Sequence, residues 1–160
     1  MFKLFRRFAS RPDDSPRDRA LRLFKSRDYA AAENAFTALL SDGAMTPADR
    51  AWCVNKRGVT RVHLKRRDEA LTDFRAALEF VPRFPPALSN IGNLLLEDGR
   101  VEEALAQFEA AVAADPEYAV AYLNQGVALK RLGRLDESVR ALRTAQRLEG
   151  RLRKKPRMRL

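Results

Sequence analysis

The sequence is poor in the residues from which metal sites, disulfides and many active sites are built. Its 160 residues include one cysteine, Cys53, and one histidine, His63. A single cysteine excludes an internal disulfide and fits a reducing compartment, so we expect a cytoplasmic protein. A single histidine excludes a cluster of histidine and cysteine ligands for a transition metal. We therefore expect no metal and no cofactor.

Two further classes of site are missing. No Gly-rich loop that could cradle a phosphate is present, because Gly43 and Gly99 belong to predicted turns. No apolar run is long enough to span a membrane. We predict that the protein is not an enzyme.

The sequence does contain a repeat of thirty-four residues, marked by Gly58, Gly92 and Gly126. After each glycine come a small residue, a bulky apolar residue, an alanine and a helix stop, at the same spacing. A fixed period of this length indicates stacked structural repeats, which present surfaces and seldom carry chemistry. The recurring positions are Ala70, Ala104 and Ser138; Phe74, Phe108 and Leu142; Ala77, Ala111 and Ala145; Pro82, Pro116 and Gly150.

Each period predicts two antiparallel helices. In the central repeat one apolar stripe runs along residues 88–95, and a second follows along residues 101–112. Gly99 can take the positive φ that ends the first helix, and the second helix ends before Pro116. We expect Phe108 to fill the space between the two helices beside Gly92.

The order of small, aromatic and proline positions resembles the tetratricopeptide repeat family. The pattern is carried best by Leu88, Ile91, Gly92, Leu95, Gly99, Ala104, Phe108, Ala111 and Pro116. The resemblance implies an all-α fold: a right-handed α-solenoid of antiparallel helix pairs over residues 13–150. It has about three clear units (51–82, 85–116, 119–150) and one degenerate N-terminal unit (about 13–44).

Two units depart from the family pattern. The unit 51–82 has Arg57 and Arg61 in its first helix, where apolar residues are usual. In the unit 119–150, Ser138 and Leu142 replace the usual alanine and aromatic residue. Acidic pairs recur at the start of each second helix, where negative charge complements the helix dipole, so we interpret them as structural: Asp68-Glu69, Glu102-Glu103 and Asp136-Glu137.

The formal charge of +10 is concentrated at the two ends. Residues 1–12 carry four cations and no acid, and residues 140–160 carry nine basic residues against Glu149 alone. The segment 1–12 is a candidate for an anionic membrane surface, a cap on the first helix or an organellar targeting sequence. The tail 151–160 is a candidate for docking on nucleic acid or another anion, or for a solubilising extension of the last helix.

The resemblance also implies a partner-binding groove lined by the first helix of each unit. Carried over by position, its residues are Trp52, Asn55, Lys56, Val59, Val62 and His63; Ser89, Asn90, Asn93 and Leu96; Val120, Leu123, Asn124, Val127 and Arg131. The equivalent Asn90 and Asn124 could grip a peptide backbone or bond neighbouring helices. The family's clamp for chaperone carboxylates is not matched, since Val59, Val120 and Asn124 replace its polar residues.

These features predict a non-catalytic scaffold or adaptor that binds a protein or peptide with apolar anchors. The alternative is an electrostatic tether whose basic ends bind nucleic acid or an anionic membrane. Solenoids normally end in a capping helix with a polar outer face. Because none is evident after Gly150, we expect the helix with Val139, Leu142 and Leu148 to be a docking surface for a partner or a second copy.

Overall fold

The computed structural model describes residues 15–154, with side chains up to Arg151. The predicted N-terminal segment 1–12 and residues 155–160 of the predicted tail lie outside this range. Within it the chain forms eight α-helices and no strand. In chain order they are α1 Pro16–Lys25, α2 Tyr29–Leu40, α3 Pro47–His63, α4 Arg67–Phe80, α5 Pro85–Glu97, α6 Val101–Ala114, α7 Ala119–Arg131 and α8 Leu135–Lys154.

The expected all-α class and the division into four helix pairs are confirmed. The degenerate first unit corresponds to α1 and α2, and the extra residues before α3 form the loop 41–46. None of the helices in the range 15–154 is both long and apolar enough to cross a membrane.

Two helices begin at the same local motif, in which a hydroxyl residue is followed by proline. Ser15 precedes α1 and accepts a hydrogen bond from the backbone N–H of Asp18, and Thr46 precedes α3 and accepts one from Asp49. The proline that follows each cap suits the first helical turn, where its missing N–H would have no partner in the helix. These caps fix where both helices start.

The short links between paired helices contain one residue with positive φ. In the third and fourth pairs this residue is Gly99 (φ 76°) and Gly133 (φ 75°), as expected for a helix C-terminus. In the first two pairs it is Arg27 and Lys65, both at φ 63°. The turn geometry is therefore kept even where the sequence does not supply glycine.

Contacts divide the chain into two compact units, one ending at Asp73 and one beginning at Phe74, inside α4. In the first unit the apolar core is built around Ala20, Ala32, Phe36 and Cys53, all fully buried. Partly buried residues from α1, α2 and α3 pack around this cluster.

In the second unit the recurring glycines lie where two helices approach closely. A Cβ atom added at Gly92 would lie 2.5 Å from Cε1 of the buried Phe108, and one added at Gly126 would lie 2.7 Å from Cγ of Leu142. The predicted packing of Phe108 against Gly92 is confirmed. Ser138 departs from the family pattern because its hydroxyl donates a hydrogen bond to the carbonyl of Gly126, at 2.7 Å.

The last helix differs from the prediction in two respects. It does not stop at Gly150 but continues to Lys154, because Gly150 alone does not end a helix and the next proline, Pro156, lies six residues further on. Leu142 packs against Gly126 and Leu148 is buried, so both lie on the core side of α8. Of the three residues expected on an uncovered outer face, Val139 is the one that is exposed.

Candidate functional site

The most exposed apolar surface among the predicted groove residues lies on α7. Val120, Leu123 and Val127 are 43%, 43% and 39% exposed. They are spaced by three and four residues, so they share one face of the helix. An exposed apolar stripe on one helix face can contact a partner, whereas scattered single apolar residues are ordinary.

Two polar atoms at predicted groove positions of the second unit are buried and have no hydrogen-bond partner among the described residues. They are Nδ2 of Asn124, beside the α7 stripe, and Oγ of Ser89 on α5. Buried polar atoms are almost always hydrogen-bonded in native proteins, so each unpaired one requires an explanation. A water molecule, or a partner's backbone carbonyl after rotation of the side chain, would satisfy the amide of Asn124.

The other predicted groove residues of the second unit are partly buried, buried, or hydrogen-bonded within the chain. Asn90 and Asn93 are half-buried, and Leu96 is buried in the core with Leu105 and Phe108. Arg131 donates a hydrogen bond from Nη1 to the backbone carbonyl of Leu96 at 2.8 Å. Arg131 therefore caps the end of α5, while Leu96 faces inward and cannot line a groove.

In the first unit, Trp52 is half-buried between two neighbours. The guanidinium carbon of Arg17 lies 3.8 Å from its ring centroid, and Phe36 meets it edge-on at 6.1 Å. Trp52 also lines a cavity of about 310 Å³ together with Arg17, Leu39, Asp42, Ala44, Met45 and Asp49. One face of the Trp52 ring is thus covered by the guanidinium of Arg17.

His63, at the end of α3, belongs to an aromatic cluster. Its ring stacks on Tyr29 with a centroid distance of 4.4 Å and meets Phe24 edge-on at 5.6 Å. His63 remains exposed, as expected for a surface residue, but one of its faces is covered by Tyr29.

The remaining first-unit positions differ in exposure. Lys56, Val59 and Val62 are half-buried, and burial together with the charge of Lys25 lowers the pKa of Lys56. Asn55 is buried, contrary to the expectation of a groove-lining side chain, because it lies on the same side of α3 as the core residues Ala51 and Val54.

The structure also contains a charged network that the sequence pattern did not predict. Asp73 of α4 is buried and accepts hydrogen bonds from Arg57 Nε at 3.0 Å and Arg57 Nη2 at 2.7 Å. Nη1 of Arg61 lies 3.0 Å from the same carboxylate. These contacts explain why arginine stands at two positions of α3 where the family has apolar residues.

Glu33 of α2 extends the same network. It accepts a hydrogen bond from Arg61 Nε at 2.9 Å and another from Arg66 Nη1 at 2.6 Å. Three helices of the first unit are therefore linked by buried or half-buried ion pairs. The signal in the sequence was the pair of arginines themselves, since a cation at a buried position requires an anion from a neighbouring helix.

The acidic residues at the start of each second helix have a partner that recurs with the same period. Arg66, Arg100 and Arg134 each form a two-pronged pair with a glutamate three residues later. Hydrogen bonding to the arginine lowers the pKa of each glutamate, which is Glu69, Glu103 or Glu137. These glutamates therefore form specific ion pairs in addition to complementing the helix dipole.

Cys53 is buried, and its thiol donates a hydrogen bond to the carbonyl of Phe36 at 3.4 Å. Burial raises its pKa to about 11, more than the nearby arginines lower it. The thiol is therefore protonated at neutral pH and is not a nucleophile. No group of three potential metal ligands occurs among the residues that the structure describes.

The comparison with protein families agrees with this geometry. The family model for the tetratricopeptide repeat matches residues 17–87 and 89–151. The chain belongs to the tetratricopeptide repeat family. A search of curated proteins found no match.

Several solved structures share this tetratricopeptide repeat fold. The crystal structure of MamA is 18% identical, with a TM-score of 0.64 over 86% of this chain and 80% of that one. YrrB, described as a TPR protein with an unusual peptide-binding site, is 23% identical, with a TM-score of 0.62 over 84% and 68%. The first TPR of Spaghetti (RPAP3), bound to the HSP90 peptide SRMEEVD, is 21% identical, with a TM-score of 0.60 over 68% and 86%. At these identities the likeness shows the α-solenoid fold of helix pairs.

Proposed function

We propose that this tetratricopeptide repeat protein is a non-catalytic scaffold or adaptor that binds a segment of a protein partner through the exposed face of α7. The observation that carries the proposal is the stripe of Val120, Leu123 and Val127 beside the unpaired amide of Asn124. Apolar side chains supply affinity by leaving water, and the amide of Asn124 supplies a donor for a backbone carbonyl once its side chain turns toward the partner.

The stripe sets the size of the bound segment. Residues 120 and 127 are seven apart, so the stripe is about 10 Å long at the helical rise of 1.5 Å per residue. A helix of two turns or an extended segment of about three residues has this length. We therefore expect two or three apolar anchors in the partner, not a single terminal charge.

The peptide-bound structure of Spaghetti and the peptide-binding site of YrrB support a peptide as the class of ligand. The chain offers Val120 and Asn124 where the carboxylate clamp of the family has cations, so we expect a partner that differs from a chaperone tail. In the first unit, Trp52, Lys56, Val59 and His63 are proposed as additional contacts for a protein partner.

Site-specific photocrosslinking tests the proposal. A benzophenone amino acid replaces Leu123 in the full chain, which is irradiated in its native lysate, and crosslinked peptides are sequenced by mass spectrometry. We expect crosslinks to a recurring protein segment with apolar residues at two or three closely spaced positions. Substitution of Val127 by glutamate in the same chain should reduce these crosslinks, because it places a charge within the apolar contact.

A matched variant separates this face from the rest of the molecule. Val139→Glu introduces the same charge at an exposed valine of α8 and should leave the crosslinks from position 123 unchanged. The proposal fails if position 123 yields no recurring protein segment, or if Val127→Glu and Val139→Glu reduce its crosslinks equally.

The electrostatic tether remains the second candidate function, and it is favoured by the exposed arginines of α8. Arg140, Arg143, Arg147 and Arg151 are all exposed and follow one another at spacings of three or four residues. A chain lacking residues 1–12 and 151–160 should still capture its protein partners if the α7 face carries the function. Loss of capture, with nucleic acid or membrane as the lost material, would favour the tether.

A further inference from the structure

The outer face of α8 carries an uncovered apolar strip, which consists of Leu135 and Val139. Their exposed fractions are 60% and 44%, the highest of the large apolar residues that the structure describes. They are four residues apart and so lie next to each other on one helix face. This strip belongs to a different helix from the α7 stripe.

The preceding repeat shows what covers this position. Thirty-four residues before Leu135 and Val139 stand Val101 and Leu105 of α6. Leu105 is only 5% exposed, and both residues pack in the cluster that includes Leu129 of α7. The same place on α6 is therefore covered by the next helix along the chain, whereas no described residue covers it on α8.

The face of α7 that packs against α6 indicates which kind of helix fits. It contributes Ala121, Ala128 and Leu129, of which the first two are completely buried. These residues are spaced by seven and eight, so they lie on one side of α7. Small residues at this spacing let two helix backbones approach closely, and a larger one anchors the contact.

The charges beside the strip differ between α6 and α8. On α8 the exposed residues next to the strip include Arg140, Arg143 and Arg147. The equivalent positions of α6 are held by the neutral or acidic residues Ala106, Glu109 and Ala113. A helix covering α8 would therefore lie beside positive charge that the equivalent α6 positions lack.

In the covered repeat, the acid at one of these positions acts on the charge of a cation that follows α7. The pKa of Arg134, which lies just beyond the C-terminal end of α7, is raised by its hydrogen bond to Glu137 and also by the charge of Glu109. Arg143 is the counterpart of Glu109 with the opposite sign. An acid on the flank of a covering helix would therefore complement the charge of Arg143.

We infer that the outer face of α8 is a second docking surface, which binds an amphipathic helix of a protein partner in the place that α7 occupies on α6. The apolar side of that helix carries small residues with one larger anchor, and its flank carries acidic residues. The chain's own segment 1–12 has four cations and no acid, so the arginines of this site would repel it. This surface goes beyond the proposed α7 contact and does not depend on it.

A library of phage-displayed helical peptides of about 18 residues, randomised on one apolar face and both flanks, tests the inference with the full chain as the target. We expect enriched peptides with alanine or glycine at positions seven apart and with Asp or Glu on one flank. Binding of a synthetic enriched peptide, measured by fluorescence anisotropy, should weaken at least about tenfold in Val139→Glu and in the double variant Arg143→Glu, Arg147→Glu.

Ala38→Glu, at an exposed position of α2 outside both proposed surfaces, is the matched control and should bind the same peptide with unchanged affinity. Leu135→Glu repeats the test of Val139→Glu at a second exposed position, and circular dichroism checks that each variant is folded. Failure of the proposed α7 contact leaves these results unchanged, because they depend on α8 alone.

Several outcomes would overturn the inference. It fails if no acid-flanked helix is enriched, or if the enriched peptides lose binding in Leu123→Glu but not in Val139→Glu. It also fails if light scattering shows a dimer that Val139→Glu dissociates, because the occupant is then a second copy. Binding of a DNA duplex or an anionic vesicle through Arg143 and Arg147, with no enriched helix, would assign the face to an anion instead.

Discussion

At the scale of single residues, the buried carboxylate of Asp73 is the most consequential charge in the first unit. It faces both Arg57 and Arg61. Removing one partner of a buried ion pair leaves the other charge uncompensated, which usually costs about 3–5 kcal/mol. We expect Asp73→Ala to lower the free energy of unfolding by about this amount in urea denaturation. Asp68→Ala, at an exposed position of the same helix, should change it by less than about 1 kcal/mol.

Two helical glycines have opposite expected responses to alanine. Gly92→Ala would place a Cβ atom 2.5 Å from the ring of Phe108, so we expect a loss of about 1–3 kcal/mol from overpacking. Gly150 has no neighbour within 4 Å of such an atom. Gly150→Ala should therefore raise the stability by about 0.5–1 kcal/mol through helix propensity. Thermal unfolding of the two variants would contradict the packing interpretation if both shifts had the same sign.

The buried thiol of Cys53 predicts a dependence of stability on alkaline pH. Its pKa is raised by burial from 9.0 to about 11. Since the unfolded chain ionises first, the contribution of the thiol is complete below pH 9 and is lost as the pH rises through about 11. We expect the urea midpoint of the wild type to fall more steeply over this range than that of Cys53→Ala. Equal slopes would show that Cys53 does not titrate differently in the two states.

At the scale of elements, the links between paired helices impose one backbone conformation on different sequences. Lys65 takes φ 63° where the next repeats have glycine. A residue with a Cβ atom loses about 1–2 kcal/mol in this region, whereas glycine loses more entropy on folding. We expect Lys65→Gly to be neutral or stabilising by up to about 1 kcal/mol. Gly99→Ala should destabilise by about 1–2 kcal/mol in the same denaturation assay, and a stabilised Gly99→Ala would contradict this account.

The second unit also shows how one element can present surfaces of different kinds. α7 buries Ala121 and Ala128 against α6 and leaves Val120, Leu123 and Val127 exposed. α8 buries Leu148 and leaves Leu135 and Val139 exposed. Each helix is thus apolar over a wider arc than its described neighbours cover, which is why both are proposed as contact surfaces.

At the scale of the whole molecule, the charge distribution separates the two candidate functions. The net charge of +10 arises from the two ends, since residues 13–139 have 18 basic and 20 acidic residues. We expect capture of a protein partner through α7 to change by less than about threefold between 50 and 200 mM salt, because screening acts on charges. Contacts from the ends to six or more phosphates would weaken by about 10³-fold or more over the same range. A capture assay at the two salt concentrations that showed the steep dependence would favour the tether.

Much of this fold could be predicted because the thirty-four-residue period repeats the same helix-packing contacts. Each recurring glycine is followed sixteen residues later by a bulky apolar residue, and this spacing predicted the contact of Gly92 with Phe108. Gly99 predicted the turn between the paired helices. Where the pattern was weaker, the prediction was incomplete. The end of α8 at Lys154 was missed because a glycine in a helix ends it only when the following residues favour a stop.

The sequence by itself therefore determined the all-α repeat, the helix pairs and the absence of a histidine–cysteine metal cluster, because these depend on periodicity and composition. Only the tertiary structure decided which groove positions are accessible. Asn55, Ser89 and Leu96 are buried while Val120 and Leu123 are exposed, although all five were assigned by repeat position. Exposure depends on which neighbouring helix covers each face, and the same long-range packing placed Asp73 beside Arg57. A periodic pattern specifies the positions within a repeat, but the neighbours of each repeat decide what those positions contact.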